Sequence, residues 1–497
     1  MASPSFDVLE TTIADIHTAY KSRQLSTRRL VEMYLQRIEA FDKKGPALNA
    51  IITLNSKALD EADRLDAAFK STGFVGPLHG IPIIIKDQAD AKDMPTTLGS
   101  LLFKDYYPER DATVVEKLKK AGAIILAKAT LGELGGGDTH GSLFGSTKNP
   151  YALDRTAGGS SGGSAVSVAA NYSTVAVGQE GFASIRRPSI WNCIVGMRPT
   201  AGLVSRGGVF AGWPDVAGSL GPMARTVRDL AILLDAMVGY DPEDPLTSRG
   251  VGHAPETYTQ FLDKNALKGS RIGIVRESMG FDSEPDSEDF KKIAEVFDRA
   301  VGELKAAGAE IVDPVAIPKL KELLAKRAGS YAQAEQSFRV YFGRSTHPPF
   351  KSRQESAQSP DFPKVTRRSQ DRWKRSEDPQ KHYEYLLARE ELTIHFLKVM
   401  ADNKLDAIVH KAVEHQPTLI KDGVNPPFVD QKGAPHLNTF PVFVPSIVVP
   451  AGFTRDNLPA GITFLGRPYD DGNMIKLAYA YEQATHHRRP PASTTPL

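Results

Sequence analysis

The sequence predicts an α/β protein, and three stretches carry that prediction. ATVVEKLKKAGAIILAK (112–128) joins an amphipathic helix to a buried strand across Gly122. DSEDFKKIAEVFDRAVGELKAAGAEIV (286–312) repeats the helix–glycine–strand order. In GPLHGIPIIIKDQ, Ile81 to Ile85 form a short, fully apolar strand entered through Gly and Pro.

The other elements follow along the chain. Residues 7–70 read as helices, because Thr11, Ile13, Ile16, Leu25, Leu30, Tyr34 and Ile38 recur at near-helical spacing with charges between them. Residues 135–164, rich in Gly, Ser, Asn and Pro, form one long irregular stretch, and loops of that length inside compact domains usually serve function. AVSVAANY and STVAVG supply a small-residue helix and a buried strand. Thr226 caps a helix that ends near Gly239. ALKGSRIGIV opens a further strand, and LDAIVH, PVFVPSIVVPAGF and GITFLGRP return to strands before one closing helix. No internal repeat of fixed period is present.

Composition narrows the class. Length scaling over 497 residues suggests roughly three domains, although large α/β enzymes also run as one unit. With 41% hydrophobic and 24% charged residues the chain is of ordinary globular balance, and a net charge of +2 sets up no global field for nucleic acid or membrane. Cys193, the single cysteine, excludes an internal disulfide framework and a cysteine-based metal cluster; in WNCIVG it reads as a buried small hydrophobe. The N-terminus lacks the basic start and apolar core of a signal peptide, and no apolar run approaches the ~20 residues that span a bilayer, so the expected location is cytoplasmic. From 339 to 375 ten Lys or Arg meet three acids, Glu355, Asp361 and Asp371. This stretch, about 339–380, reads as a solvated insertion with helical pieces, and secondly as a lid over a pocket that prefers anions. It lacks the regular aromatic interleaving of a nucleic-acid groove.

Three separated segments carry candidate chemistry. Lys86 ends the apolar PIIIK strand, where it either snorkels to water or is held in a low-dielectric site. If held, its pKa falls and it becomes a base usable near neutral pH. AGGSSGGSAVSVAA (157–170) brackets Ser160-Ser161 with two Gly pairs just before an Ala-rich helix. It has neither the Lys-Ser/Thr ending of a phosphate-binding loop nor the spacing of a dinucleotide fingerprint, and the apolar helix excludes a flexible linker. A capped tight turn stays open for this piece alone. GQEGFASIRRPS (178–189) places Ser184 at the mouth of a strand-to-helix turn with no histidine beside it in the sequence. Alone, such a serine is a cap or a turn residue.

Taken together and in order, GIPIIIKD, GGSSGGS, GQEGFASIRRP, VGMRPT and GPMARTVRD resemble the amidase signature family. That family's pattern is similar to GxPxxxKD, GGSSGGS, G-[TQ]-[DE]-x-G-G-S-I-R, VGxKPT and GPxARTVxD. LFGSTKNP, VPAGF, GITFLGRP and AYAYEQAT extend the resemblance from about residue 8 to 488, with a lapse mainly between 250 and 440.

The resemblance implies one domain over 1–497, built on a large twisted mixed β-sheet covered by α-helices on both faces. Its parts are N-terminal helices (1–75), a catalytic core (76–240), a more variable region (250–440) holding the basic insertion, and returning strands and helix (441–488). It implies a Ser-Ser-Lys triad of Lys86, Ser160 and Ser184, with Ser184 as nucleophile and Ser160, after a cis peptide bond, as the bridge to the lysine. Ser184 then passes its proton to Ser160, whose own proton goes to neutral Lys86, and the missing histidine is accounted for. Ser161 is implied as a structural neighbour, and Arg186 as a brace paired with Glu180. Backbone N–H groups of Gly181, Phe182, Ala183 and Ser184 are implied to hold the oxyanion.

Leu134, Gly135, Gly136 and Gly137 fall where the family lines its acyl pocket, and three glycines there suggest a wide or flexible floor. His140, just beyond, reads as a loop hydrogen-bonder. The departure is Phe182-Ala183, where the family carries Gly-Gly: side chains restrict the backbone and crowd the acyl site. Phe182 and Trp213 are each either an aromatic wall or a core residue.

The implied function is hydrolysis of a carboxylic amide, with aryl amides, carbamates and esters within the same chemistry. It calls for no cofactor and no metal, and its partner is a small-molecule amide, not nucleic acid or membrane; a homodimer is the family-level expectation. Two alternatives stand beside it. One is a glutaminase component delivering ammonia to an amidotransferase partner, which the altered oxyanion stretch and the insertion disfavour. The other is a catalytically degenerate binding protein, which retention of all three triad residues disfavours.

Overall fold

Runs too apolar to leave either face in water form the centre of the molecule. The structure, a computed structural model, describes residues 6–280, 282–328, 331–375 and 378–497, without the side chains of 331, 332 and 430. Residues 376 and 377 of the basic stretch lie outside the described residues. In chain order the strands are β1 (Ile51–Leu54), β2 (Pro82–Lys86), β3 (Ile124–Ala129), β4 (His140–Gly141), β5 (Gly145–Ser146), β6 (Lys148–Asn149), β7 (Ala152–Thr156) and β8 (Val175–Glu180). There follow β9 (Val195–Arg198), β10 (Ser219–Ala224), β11 (Arg271–Ile274), β12 (Glu310–Val312), β13 (Ala407–Lys411), β14 (Ser446–Phe453) and β15 (Pro459–Leu465).

An 11-stranded mixed sheet runs β1-β3-β2-β8-β10-β9-β14-β15-β13-β11-β12. β2 is parallel to both neighbours, β3 and β8, and β11 is parallel to β12 and β13; the remaining pairs are antiparallel. A strand with parallel neighbours on both sides is covered on both faces, which is why β2 reads as an unbroken apolar run as far as Lys86. β8 beside it is likewise buried at every residue. Helices Gly162–Ala169, Val227–Met237, Glu288–Ala306 and Asp471–Thr485 pack on this sheet. Every residue of Gly162–Ala169 is buried, and a Cβ on Gly163 would stand 2.4 Å from the Thr130 carbonyl oxygen. Only glycine permits that approach of helix to strand end.

Two expectations need correction. Residues 7–70 hold helices Ile13–Lys21, Thr27–Phe41 and Ala58–Thr72, but also β1 between the last two. β1 pairs antiparallel with β3, and a ladder with a partner this far along the chain overrides local periodicity.

The basic stretch has the expected helical pieces and mostly exposed or half-buried residues, but it also buries a face of its own. Helices Tyr331–Phe342, Arg353–Ser356 and Arg367–Trp373 form a cap whose Phe338, Tyr341, Phe342, Phe362 and Val365 are buried. These side chains pack with Leu98, Phe103, Leu134 and Phe210 in a hydrophobic cluster separate from the main core. Polar ties add to it: Tyr341 Oη donates to Asp90 at 2.5 Å, Arg344 to the same carboxylate at 3.2 Å, and Thr366 N to Glu133 at 3.0 Å. The Lys/Arg count concealed an aromatic face at helical spacing. No helix among the described residues is long and apolar enough to cross a membrane.

Asp87, the residue after β2, pairs with Lys128 of β3 at 2.7 Å, and both side chains are 0% exposed. Asp87 also accepts from Thr97 N at 3.0 Å. Lys128→Met removes the cation and leaves the carboxylate buried and unmatched. We expect a loss of about 3–5 kcal/mol, read as a lower urea midpoint at unchanged m value.

Candidate functional site

Three chain segments end at one point of the sheet. β2 delivers Lys86 at its last residue, with the side chain 1% exposed. The glycine-rich loop before helix Gly162–Ala169 delivers Ser160, and the turn between β8 and helix Arg186–Trp191 delivers Ser184. Lys86 Nζ stands 2.7 Å from Ser160 Oγ, which stands 3.0 Å from Ser184 Oγ. Ser160 Oγ also lies 3.1 Å from the Gly135 carbonyl. A hydroxyl has one proton to give, so Ser160 donates to Gly135 or to Ser184 but not to both at once.

The loop around Ser160 is held from several sides. The Gly159–Ser160 peptide bond is cis. Thr139 Oγ1 donates to Gly158 O at 2.7 Å and accepts from Gly162 N at 2.9 Å. Ser161 N donates to Ser184 O at 3.1 Å, and Ser161 Oγ exchanges bonds with Gln179 O and N, each at 3.2 Å. Arg187, which the sequence reading passed over, donates to Gly159 O at 3.0 Å and pairs with Asp138 at 2.9 Å. The doubled arginine after Ser184-Ile185 was the available signal.

Glu180 organises the turn that carries Ser184. One carboxylate oxygen accepts from Ile185 N and Arg186 N, both at 2.9 Å, and the other from Arg186 Nε at 2.6 Å. Both partners are 0% exposed, and Arg186 also donates to Phe182 O at 2.6 Å. The β8–β10 ladder has its last rung at Glu180 and Ser219, so the backbone of Gly181, Phe182, Ala183 and Ser184 lies past the sheet.

Lys86 is held well below the usual lysine range, first by burial. The Glu180 carboxylate opposes that shift and the Arg372 guanidinium reinforces it. A buried amine of lowered pKa is free of its proton at lower pH than an exposed lysine.

The walls differ from the sequence expectation. Phe182 is half-buried, with the Arg327 guanidinium 4.3 Å above its ring and the His436 ring edge-on at 5.4 Å. Ala183 is buried. Gly135 and Gly136 face no open space where a side chain would stand. A Cβ on Gly136 would fall 1.4 Å from Arg372 Nη1, and one on Gly135 would fall 2.6 Å from Gln88 Nε2. The space that the missing side chains leave is filled by side chains from elsewhere. A cavity of about 170 Å³ is lined by Leu134, Phe210, Phe338, Arg353, Arg372 and Trp373.

Trp213 lines a different cleft, with Arg110, Arg206 and Arg344. His140 Nδ1 bonds Ser146 Oγ at 2.7 Å within its own loop. Cys193 is fully buried. Among the described residues no group of three or more His, Cys, Asp or Glu is placed to hold a metal ion.

Residues 29–475 match the family model described as Amidase. The chain is 33% identical to a probable amidase of Arabidopsis thaliana, over 98% of this chain and 93% of that protein. It is 31% identical to a glutamyl-tRNA(Gln) amidotransferase component of a Cyanothece species, over 96% and 99%. Among solved structures, the native peptide amidase of Stenotrophomonas maltophilia superposes with a TM-score of 0.86 at 33% identity, over 98% of this chain and 99% of that one.

The depressed basicity of Lys86 is open to direct measurement. In an NMR titration of lysine side chains in the folded protein, the Lys86 resonance is expected to titrate at clearly lower pH than every exposed lysine. A Lys86 that titrates with the exposed group would remove the basis for treating it as a base.

Proposed function

The chain belongs to the amidase family, and from that membership we propose that it is a stand-alone amide hydrolase working through an acyl-enzyme on Ser184. The observation that carries this reading is the line Lys86 Nζ–Ser160 Oγ–Ser184 Oγ, with spacings of 2.7 and 3.0 Å, in which the terminal amine is buried. Those spacings are within reach for proton transfer at each link.

In the proposed sequence Ser184 Oγ attacks the amide carbon as its proton moves to Ser160, and the Ser160 proton moves to neutral Lys86. Backbone N–H groups of 181–184 face the developing oxyanion; each well-aimed donor contributes about 3–4 kcal/mol in such sites. The proton then returns to the nitrogen, the C–N bond breaks, and ammonia or an amine leaves. Water enters by the same relay in reverse and releases the carboxylate. The Phe182 and Ala183 side chains leave the N–H donors in place, because only proline would remove one.

The cavity of about 170 Å³ with Phe210, Phe338 and Trp373 on its wall suits an apolar or aromatic part of the substrate. The similarity to a peptide amidase supports an acyl group larger than acetyl. Similarity to the amidotransferase component favours a second reading, a glutaminase that passes ammonia to a partner. Glutamine hydrolysis by the purified chain, rising on addition of a co-purifying partner, would select it. Turnover of simple amides and anilides without a partner selects the first.

Ser184→Ala is expected to abolish turnover. Ser160→Ala and Lys86→Ala are expected to lower kcat by roughly 10⁴-fold or more. A fluorophosphonate is expected to add once, at Ser184, as mapped by peptide mass. Full turnover by Ser184→Ala, or an adduct elsewhere, overturns the mechanism.

A further inference from the structure

Arg372 belongs to the cap, where the sequence resemblance lapses, yet its guanidinium ends in the backbone of the glycine tract, 238 residues from Leu134 along the chain. Nη2 donates to the Glu133 and Leu134 carbonyls at 2.9 and 2.8 Å. Nη1 occupies the place that a side chain on residue 136 would take, 1.4 Å from an ideal Cβ. The next carbonyl, that of Gly135, lies 3.1 Å from Ser160 Oγ. The helix that carries Arg372 is itself seated on this turn and its surroundings. Thr366 N donates to the Glu133 carboxylate at 3.0 Å, and Trp373 stacks on Phe210 at 6.4 Å and 17°.

We propose that Arg372 is a positioning residue of the site: it holds the Glu133–Gly135 turn so that the Gly135 carbonyl meets Ser160. The inference rests on the triad proposed above. Lys86 is acted on by Glu180 of β8, whose charge is shared with Arg186, and by Arg372 from the cap. On the β3 side stands Lys128, paired with Asp87. Glu180 favours a protonated Lys86 and Arg372 opposes it, after burial, the largest influence. Without Arg372 the ammonium persists to higher pH, and the neutral base appears later on the pH axis.

The test uses the full chain and the rate at which a fluorophosphonate labels Ser184 as a function of pH, so no natural substrate is needed. In the unaltered protein the rate rises with pH to a plateau as Lys86 loses its proton. In Arg372→Gln the rising limb moves to higher pH, and labelling on that limb slows about tenfold. Arg372→Lys keeps the charge and loses the two-carbonyl fork, so its limb stays in place while its plateau drops. Gly136→Ala reaches the same point from the other side: φ is −144° at Gly136, which alanine adopts freely, so the added methyl evicts the guanidinium. It should lower the plateau as Arg372→Lys does, and combining the two variants should lower it no further.

A folded Arg372→Gln with the unaltered limb overturns the inference, as does an additive fall of the plateau when Gly136→Ala and Arg372→Lys are combined. Should Arg372→Gln fail to fold, Gly136→Ala and Arg372→Lys carry the test by themselves. Labelling that survives Ser184→Ala sinks the triad itself, whereas loss of labelling there with an immobile Arg372→Gln limb sinks only the role given to Arg372.

Discussion

Burying one lysine amine without a carboxylate of its own is the constraint around which the site is organised. Lys86 is 1% exposed; Glu180 is the acid that acts on it, and Asp87 is the next residue in the chain. Each is already matched to another cation: Asp87 to Lys128 at 2.7 Å, Glu180 to Arg186 at 2.6 Å. Desolvation strongly disfavours an unmatched buried ammonium, so the pKa of the amine falls, and its side-chain partner is the Ser160 hydroxyl. Had either pairing been exchanged for a pair with Lys86, the lysine would be a structural cation and no base. The two arginine and lysine partners therefore shape the chemistry at Lys86 without touching Ser160 or Ser184.

The same economy of parts explains how the turn at 181–184 carries side chains where glycines are expected. Its conformation is imposed from below by Glu180, which takes the N–H groups of Ile185 and Arg186, and from the side by Arg186 on Phe182 O. Bonds to backbone atoms are indifferent to what the side chains are. The Phe182 ring is accommodated between Arg327 and His436.

What could be read in advance follows from how local the determinants are. β2 and β8 lie side by side within the sheet and open as apolar runs, so composition alone marks them, and Lys86 and Glu180 sit at their ends. Ser160 and Ser184 stand in glycine-rich or turn segments whose order along the chain is distinctive. β1 escaped because its identity comes from pairing with β3 and not from its own four residues. The glycines at 135–137 were legible as glycines, but their purpose was not. What they make room for, Arg372 and Gln88, arrives from distant segments. Arg372 was hidden among ten basic residues that looked alike until burial separated them.

That separation divides the cap into two populations of charge. Lys364 pairs with Asp361 on the exposed surface, where such pairs contribute little. Arg344 and Arg372 point inward, to the buried Asp90 and to backbone carbonyls, and Arg353 lies 4.4 Å over the Trp373 ring. Asp90, its carboxyl pushed up to about 6 by burial, also accepts from Tyr341 and Thr96, so one buried group ties the cap to the segment after β2. The cap's aromatic cluster is distinct from the core that holds the sheet. Substitutions in the cap can therefore reshape the cavity wall without disturbing the strands that carry Lys86 and lead to Ser184. Arg372 is the exception, because among these three inward arginines it is the one that reaches the turn meeting Ser160. A change there is felt at once in the cavity, the glycine tract and the charge facing Lys86.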